Sequence, residues 1–384
     1  MLGLSLYQGI LIIITIFLIV IAIYKLKYKF WSRQPVFHYH NVWYWLVPPG
    51  IIQHAKPKKD IFYDSKIYFD NYFRTSTEKK ALFASFIKAH YMPTKNEKYS
   101  PPKKGVLNYF KGHNKKSYLS IMTHKNNPNK IIGTMSTRPL TCYIDNNKLP
   151  LYYVDFLCVH QKFRKKGLAP KIIYSHYVNS RYVDNNTVFL FKREGDRTLI
   201  VPLTVYNNYL YDIHYWDKLV RFDQPNIKTI LITDNTFRLF MDVVERLYKS
   251  KFKCLIMPDV NHIKLLIRHK QIYVAVTMID DIPYDLFFYR NTYTSYKGKK
   301  SVECFASFKE THESVFVLSF LCGISLIYEI APFSRLFIEN ISSNNVLIKK
   351  LGERYKPILK TQCSYYFYNF AYRPFLSNQV FLVN

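Results

Sequence analysis

The chain has 384 residues, is 49% hydrophobic and 17% aromatic, and carries a net charge of +29 from 55 Lys+Arg against 26 Asp+Glu. That apolar content excludes a disordered chain and suffices for two ordinary domains or one large one. The basic excess suits a polyanionic partner, namely nucleic acid, ribosomes, an anionic membrane surface or a phosphate-rich ligand, with codon bias toward Lys and Asn accounting for part of it. Six scattered cysteines (Cys142, Cys158, Cys254, Cys304, Cys322, Cys363) form no C-x-x-C pair, so neither a zinc site nor a disulfide framework is indicated.

Leu4 to Tyr24 is free of charge and dominated by Ile and Leu. About 20 such residues span a bilayer as a helix. Lys25, Lys27 and Lys29 follow at once, where a signal peptide would instead show a small-residue cleavage site. The expectation is a single transmembrane anchor over residues 1–27, with the basic flank and the remaining chain on the cytoplasmic side.

From Tyr28 to Ile61 the chain is aromatic and punctuated by proline, as an extended arm over a domain surface would be. Glu78 to Tyr91 has helical apolar spacing, and "MPTKNEKYSPPKKG" reads as a loop. "SYLSIMTH", "KIIGTMST" and "LYYVDFLCV" are strand candidates, followed by a helix from about Leu168 and strand-like "TVFLF". After Tyr215 the pattern restarts. "NTFRLFMDVVERLYKS" is a predicted helix capped by Thr233 or Asp234, and "QIYVAVTMI" and "YDLFFYR" are predicted strands. "SVFVLSFLCGI" is predicted as a strand running into a helix, "NNVLIKKLGERY" as a short helix and "CSYYFYNF" as a last strand. Helix, strands, helix, strand thus occurs twice, which points to two similar α/β halves.

The most informative stretch is "YYVDFLCVHQKFRKKGLAPKII", residues 152–173, in which a core strand discharges into a basic turn and then a helix. A helix start leaves backbone N–H groups unpaired, and a glycine there lets a phosphate approach them closely. Arg164, Lys165 and Lys166 add full charges beside Gly167, so the turn reads as a pyrophosphate cradle. By itself such a basic turn is more often only solvated.

The spacing R164-x-x-G167-x-A169 resembles the acyl-CoA signature of GNAT acyltransferases. "VDFLCVHQKFRKKGLAP" resembles, without a gap, the "I-N-F-L-C-V-H-K-K-L-R-S-K-R-V-A-P" segment of N-myristoyltransferases, and "YKFWSRQPV" at 28–36 resembles that family's "Y-Q-F-W-D-T-Q-P-V". "LIMPDVNHI", "YDLFFYRNTYTS", "YYFYNF" and the ending "VFLVN" occur in the family's order.

The resemblance implies two GNAT-like halves forming a saddle-shaped mixed sheet flanked by helices, behind the N-terminal helix. Residues 28–222 would be the acyl-CoA-binding half and 223–384 the peptide-binding half. It implies transfer of a myristoyl group from myristoyl-CoA, a co-substrate rather than a prosthetic group, to the N-terminal glycine of proteins. Lys29, Phe30 and Trp31 would contact the CoA end. Phe156, Leu157, Cys158 and Val159 would line the thioester, and Arg164, Lys165, Gly167, Leu168 and Ala169 the phosphates. The amides of Phe156 and Leu157 would form the oxyanion hole. The carboxylate of Asn384 would be the base, and Thr204 would lie near the substrate amine. No metal is implied.

The chain departs from the family at Asp155, where the family has Asn, and at Gly167, where it has Arg. The family's K-F-G-x-G-D-G signature is replaced near "KKLGERY". Its acidic run after the first helix is replaced by a loop with Lys95, Lys98, Lys103 and Lys104 against Glu97 alone, from which rejection of basic peptides is expected. Alternative readings are a GNAT-fold acyltransferase with another acyl chain or acceptor, and a non-catalytic membrane-anchored binding protein that retains the fold.

Overall fold

The computed structural model describes residues 6–91, 96–145, 147–185, 187–195, 198–216 and 220–384. Lys95 and the first five residues of the expected anchor segment, Met1 to Ser5, lie outside them.

Helix α1 (Leu6–Lys27) is exposed along its length except at Tyr24, and with a mean hydropathy of 2.8 it is long and apolar enough to cross a membrane. The arm that follows carries one short helix, α2 (Trp43–Leu46), and β1 (Gly50–Ile51), which pairs with the chain near its end at Phe370–Ala371. This matches the expected surface arm.

The first half contains β2 (Tyr68–Asn71), α3 (Thr77–His90), β3 (Glu97–Tyr99), α4 (Lys103–Leu107), β4 (Tyr118–His124), β5 (Asn127–Ile144), β6 (Asn147–Val159), α5 (Leu168–Val183), β7 (Phe189–Glu194) and β8 (Thr204–Asp212). The second contains β9 (Ile227–Leu231), α6 (Phe237–Tyr248), β10 (Cys254–Met257), α7 (Val260–Arg268), β11 (Ile272–Ile279), β12 (Ile282–Tyr296), β13 (Lys299–Phe308), α8 (Glu313–Ile330), β14 (Arg335–Glu339), α9 (Asn344–Gly352), β15 (Leu359–Tyr368), β16 (Phe370–Ala371) and β17 (Val380–Leu382). Among the described residues one mixed sheet runs β17-β10-β5-β6-β7-β15-β8-β14-β13-β12-β11-β9, with β2 and β4 beside β5 and β3 beside β12.

The doubled pattern is visible in this order. Three antiparallel strands, β4-β5-β6, lead through α5 to β7, which runs parallel to β6. Likewise β11-β12-β13 lead through α8 to β14, parallel to β13. The strand after each unit then crosses over. β8 pairs with β14, β15 pairs with β7, and the two pair with each other at the centre. The two halves are therefore joined by exchanged strands within one hydrogen-bonded sheet.

Local chemistry sets several boundaries. Ser76 caps α3 by accepting from the Lys79 amide at 3.3 Å. α5 starts at Gly167, whose φ of +72° favours glycine although a Cβ there would meet nothing within 4 Å. Three expectations change. The run 314–324 is helix throughout as part of α8, since an uninterrupted apolar run does not distinguish a buried strand from a buried helix. Its Gly323 lies so close to the sheet that a Cβ would stand 2.9 Å from the Tyr289 hydroxyl. α6 starts after Thr236, whose hydroxyl accepts from the Thr233 amide, while Asp234 binds Arg268 at 2.8 Å. The 92–105 loop contains β3, paired with Thr294–Tyr296 of β12.

Candidate active site

Strands β6 and β7 pair only at Tyr152–Phe189 and Tyr153–Leu190. Beyond that point they diverge, and a cavity of about 650 Å³ opens along β6 from Tyr153 to Val159. Its wall includes Met135, Ile173, Tyr177, Phe189, Phe191 and Tyr368, all apolar or aromatic. Trp31 closes one side and stacks on Phe191 with ring centroids 5.8 Å apart. At the other end stand Arg164 and Ala169, where α5 begins. A splayed strand edge offers backbone donors and acceptors to an extended ligand, and the helix start with its basic turn favours an anion. The wedge thus fits a molecule with an apolar part, an extended polar spine and an anionic end.

Phe156 lies on this edge with φ +50°, in a bulge of β6. Thr134 pairs with Cys158 and Ser136 with Asp155, so Phe156 and Leu157 together oppose Met135. A bulge interrupts the ladder and redirects backbone groups. The bulge is secured from β5, where the Thr134 and Ser136 hydroxyls donate to the carbonyls of Phe156 (3.1 Å) and Asp155 (3.0 Å). The Phe156 ring is held edge-on by Phe83, Tyr91, Tyr109 and Phe110.

A second cavity, of about 230 Å³, adjoins the first. Both are lined by Tyr91, Tyr153, Asp155, Phe156, Lys192 and Glu194. The second also receives Glu97, Arg138, Arg290, Glu303 and Asn384. Asn384 is 4% exposed, accepts from Arg290 Nη2 at 3.2 Å through Oδ1, and donates through Nδ2 to the Tyr365 hydroxyl at 3.2 Å. The approach to it is fixed by β17, which lies parallel to β10, and by the Val383 amide on the Ile256 carbonyl.

Buried charges line this second cavity in pairs. Arg138 meets Asp155 at 2.6 Å, Arg290 meets Glu303 at 3.1 Å, and Lys192 meets Glu339 at 2.6 Å from behind. Burial and the neighbouring Glu303 charge push Glu339 up to about 7, against the pull of Lys192. Burial works in the same direction on Glu303, but Arg290 and Lys192 outweigh it and hold that carboxyl below its ordinary value. Apart from Asp155, these groups are missed by the sequence reading. Their signal was a single charge inside an apolar strand, as in "VECFASF" and "LFIEN", or charges directly after an apolar run, as in "FLFKRE".

Of the residues named from sequence, Trp31, Phe156, Leu157, Cys158, Val159, Arg164 and Ala169 line the first cavity, and Asn384 with Phe156 lines the second. Phe30 instead packs between Trp31 and Phe62, and Lys29 is exposed outside the wedge. Lys165 and Gly167 are exposed, and Leu168 packs against a core cluster containing Ile172. Thr204 is fully buried opposite Tyr365 and lines neither cavity. Burial pushes the Cys158 thiol up to about 12, so it is protonated and a poor nucleophile at neutral pH. His160 follows β6, accepts from the Lys162 amide at 3.2 Å, and its ring meets that of His90.

Arg164 differs from its basic neighbours. Its guanidinium donates to the carbonyls of Val159 (3.1 Å) and His90 (3.2 Å), so it ties the turn to β6 and α3. Lys165→Ala is therefore the cleaner probe of charge. It is expected to weaken binding of an anionic ligand in the wedge severalfold at low salt and much less at high salt, because exposed charges are screened. Arg164→Ala should weaken binding at both salt concentrations, as read by isothermal titration with acyl-CoA. Equal losses for the two variants at every salt concentration would contradict this division.

Residues 63–189 match the family described as Myristoyl-CoA:protein N-myristoyltransferase, N-terminal domain. No curated protein sequence matches the chain. Among solved structures, a Saccharomyces cerevisiae N-myristoyltransferase with bound myristoyl-CoA superposes with a TM-score of 0.72 at 14% identity, covering 93% of this chain and 99% of that one. A second such structure from the same organism gives 0.74 at 14% identity, covering 93% and 94%. A third, with myristoyl-CoA and inhibitors bound, gives 0.69 at 14% identity, again covering 93% and 94%.

Proposed function

We propose that this chain, which over residues 63–189 matches the N-myristoyltransferase family, moves a fatty acyl group from acyl-CoA to the N-terminal glycine amine of proteins. The observation that carries this reading is the meeting of two cavities at the Phe156 bulge. The acyl-CoA lies in the wedge between β6 and β7, with its phosphates toward Lys165 and the start of α5. No prosthetic group takes part. The acceptor peptide enters the second cavity, to which both halves contribute.

The glycine amine attacks the thioester carbonyl, the C–S bond breaks, and CoA leaves as the thiol. Backbone amides of Phe156 and Leu157 stabilise the oxyanion, which asks nothing of side-chain identity and tolerates sequence drift. The carboxylate that Asn384 carries in this chain takes the ammonium proton, with Arg290 and Tyr365 holding that residue in place. Glu303 and Asp155 are less suited as bases, because Arg290 and Arg138 occupy them. α1 spans a membrane once, with the sheet on the cytoplasmic side. Transfer from myristoyl-CoA to a Gly-initiated octapeptide, followed by mass spectrometry, tests this function. Binding of acyl-CoA without any transfer would favour the non-catalytic alternative.

Acceptor preference follows from which loop residues reach the second cavity. In β3, Glu97 and Tyr99 line it while Lys98 between them is exposed, because strand side chains alternate. Lys103 and Lys104 are exposed on α4 and do not line it. Lys98, Lys103 and Lys104, three of the lysines behind the expected rejection of basic peptides, thus do not line the cavity, whereas Glu97 and Glu194 do. Peptides with Lys at the sixth and seventh positions are now expected to be used at least as well as their Glu counterparts. A severalfold higher kcat/KM for the Glu peptide would restore the earlier expectation. "KKLGERY" ends α9, and Tyr355 stacks on Trp216, away from both cavities.

A further inference from the structure

We infer that the α2 turn is a second membrane contact, docking on an anionic bilayer surface beside α1. The inference rests on the reading of α1 as the anchor. Val42, Trp43 and Leu46 are 57%, 69% and 73% exposed, an apolar cluster on a turn that packs its other face on Phe37 through Tyr44 and Trp45. Single exposed apolar side chains are ordinary, but three within five residues beside an apolar helix end call for a partner.

The fold holds this turn against the end of α1. The Tyr24 hydroxyl meets His38 Nδ1 at 3.3 Å, and its ring meets that of His40 at 5.7 Å. His38 is bridged to Ile200 of the sheet region, so α1 is attached to the folded body through this contact. Trp43 follows His40 by three residues, which at full extension is about 10 Å of chain. α1 has 22 residues and is therefore about 33 Å long, slightly more than a hydrocarbon core. Its last turn, with Tyr24, then lies at the headgroup level, and the α2 turn lies beside it at the same depth.

The chemistry around the patch matches that depth. Tyr28 and Tyr39 are exposed, and Trp and Tyr are favoured where hydrocarbon meets headgroups. Lys25, Lys27 and Lys29 are exposed on the same segment, and Arg373 donates to the Trp45 carbonyl at 2.9 Å. A basic rim around an apolar tip suits anionic lipid rather than a neutral protein surface. The same attachment keeps Trp31, a wall of the acyl-CoA wedge, near the bilayer, from which an acyl-CoA could be drawn without crossing bulk water.

The test uses the full chain in nanodiscs of phosphatidylcholine with phosphatidylserine. All six native cysteines are buried, so a nitroxide can be attached to single introduced cysteines. Ile14→Cys reports on α1, and Trp43→Cys and Leu46→Cys report on the turn. Ile358→Cys, at a position 50% exposed, precedes β15 at the end opposite Tyr368, about 33 Å away at strand rise, and serves as the aqueous control. Power saturation should show oxygen accessibility exceeding that of a water-soluble nickel chelate at 14, 43 and 46, with the order inverted at 358. Lipid exposure at 14 with aqueous exposure at 43 and 46 would overturn the docking and leave the anchor standing. Aqueous exposure at 14 would overturn the anchor itself. Omitting phosphatidylserine should reduce the oxygen preference at 46, and an unchanged preference would overturn the assignment to anionic lipid.

Discussion

Adding residues after Asn384 is expected to lower acyl transfer by at least about a hundredfold, the usual range for losing a positioned general base, while leaving acyl-CoA affinity unchanged. The physical reason is confinement. β17 is locked to β10 from Cys254–Val380 to Ile256–Leu382, and Val383 is bonded to Ile256. Asn384 is then held between Arg290 and Tyr365 on the wall of the second cavity. An added residue turns the carboxylate into an amide and occupies space meant for the acceptor. The acyl-CoA wedge lies between β6 and β7, and Asn384 does not line it, so binding there is preserved. A companion variant, Arg290→Met, should reduce kcat with little change in acyl-CoA affinity. It also leaves Glu303 buried without its guanidinium, a change that typically costs about 3–5 kcal/mol, so folding is checked by thermal denaturation. Full activity with a C-terminal tag would mean that another group takes the proton.

Stability is expected to fall steeply as pH drops from about 6.5 to 5. His113 and His176 are buried, and burial lowers each to about 3, the Arg138 charge adding to the effect on His113. His262 is likewise held well below its ordinary value by burial, His113 and Arg138. His176 bridges Ser120 (2.8 Å) and Thr137 (2.9 Å), and the His113 and His262 rings stack at 4.0 Å. Asp259 lies 3.8 Å from His113, but two hydrogen bonds from Asn114 already engage it. For groups with a depressed folded pKa, the contribution is complete above the unfolded value near 6.5. It is lost on acidification, because only the unfolded chain then takes up the protons. Over about 1.5 pH units, each such histidine removes roughly 2 kcal/mol. Glu339, raised to about 7, acts in the opposite sense, gaining stability on acidification, as do Glu97 and Asp285, which burial also raises, while His38, lowered to about 4 by burial, adds to the loss. Urea midpoints at pH 5, 6 and 7 should rise in that order, and His176→Gln should flatten the slope. Midpoints that rise toward pH 5 would show that the carboxyl groups dominate.

Several parts of the site were legible because their signals are local. The strand-to-helix turn at 152–173 announced itself through a basic run, a glycine and an apolar strand before it, and α5 begins directly after Gly167, whose φ is positive. Trp31 was legible through its motif, although the neighbouring Phe30 faces the core. Thr204 shows where the reading by resemblance thins out, since it is buried in the central strand pair rather than facing a cavity. β8 and β13 went unrecognised, and α8 was read as part strand. In β13 the residues from Ser301 to Phe308 are all buried, so no alternation marks the strand.

The sequence by itself determined the apolar helix at the start, the basic turn that opens α5 and the doubled order of elements. Each depends on residues within one helix, one turn or one strand, where spacing and charge are sufficient. Only the tertiary structure decided that β8 and β15 exchange partners, and that Lys192 meets Glu339 across 147 positions of chain. It also decided that Glu97 rather than Lys98 faces the cavity, and that Asn384 and Phe156 line the same cavity. Strand pairing and buried charge pairing are chosen among many distant candidates by burial and hydrogen-bond geometry, and the energy of each choice exists only once both partners are in place.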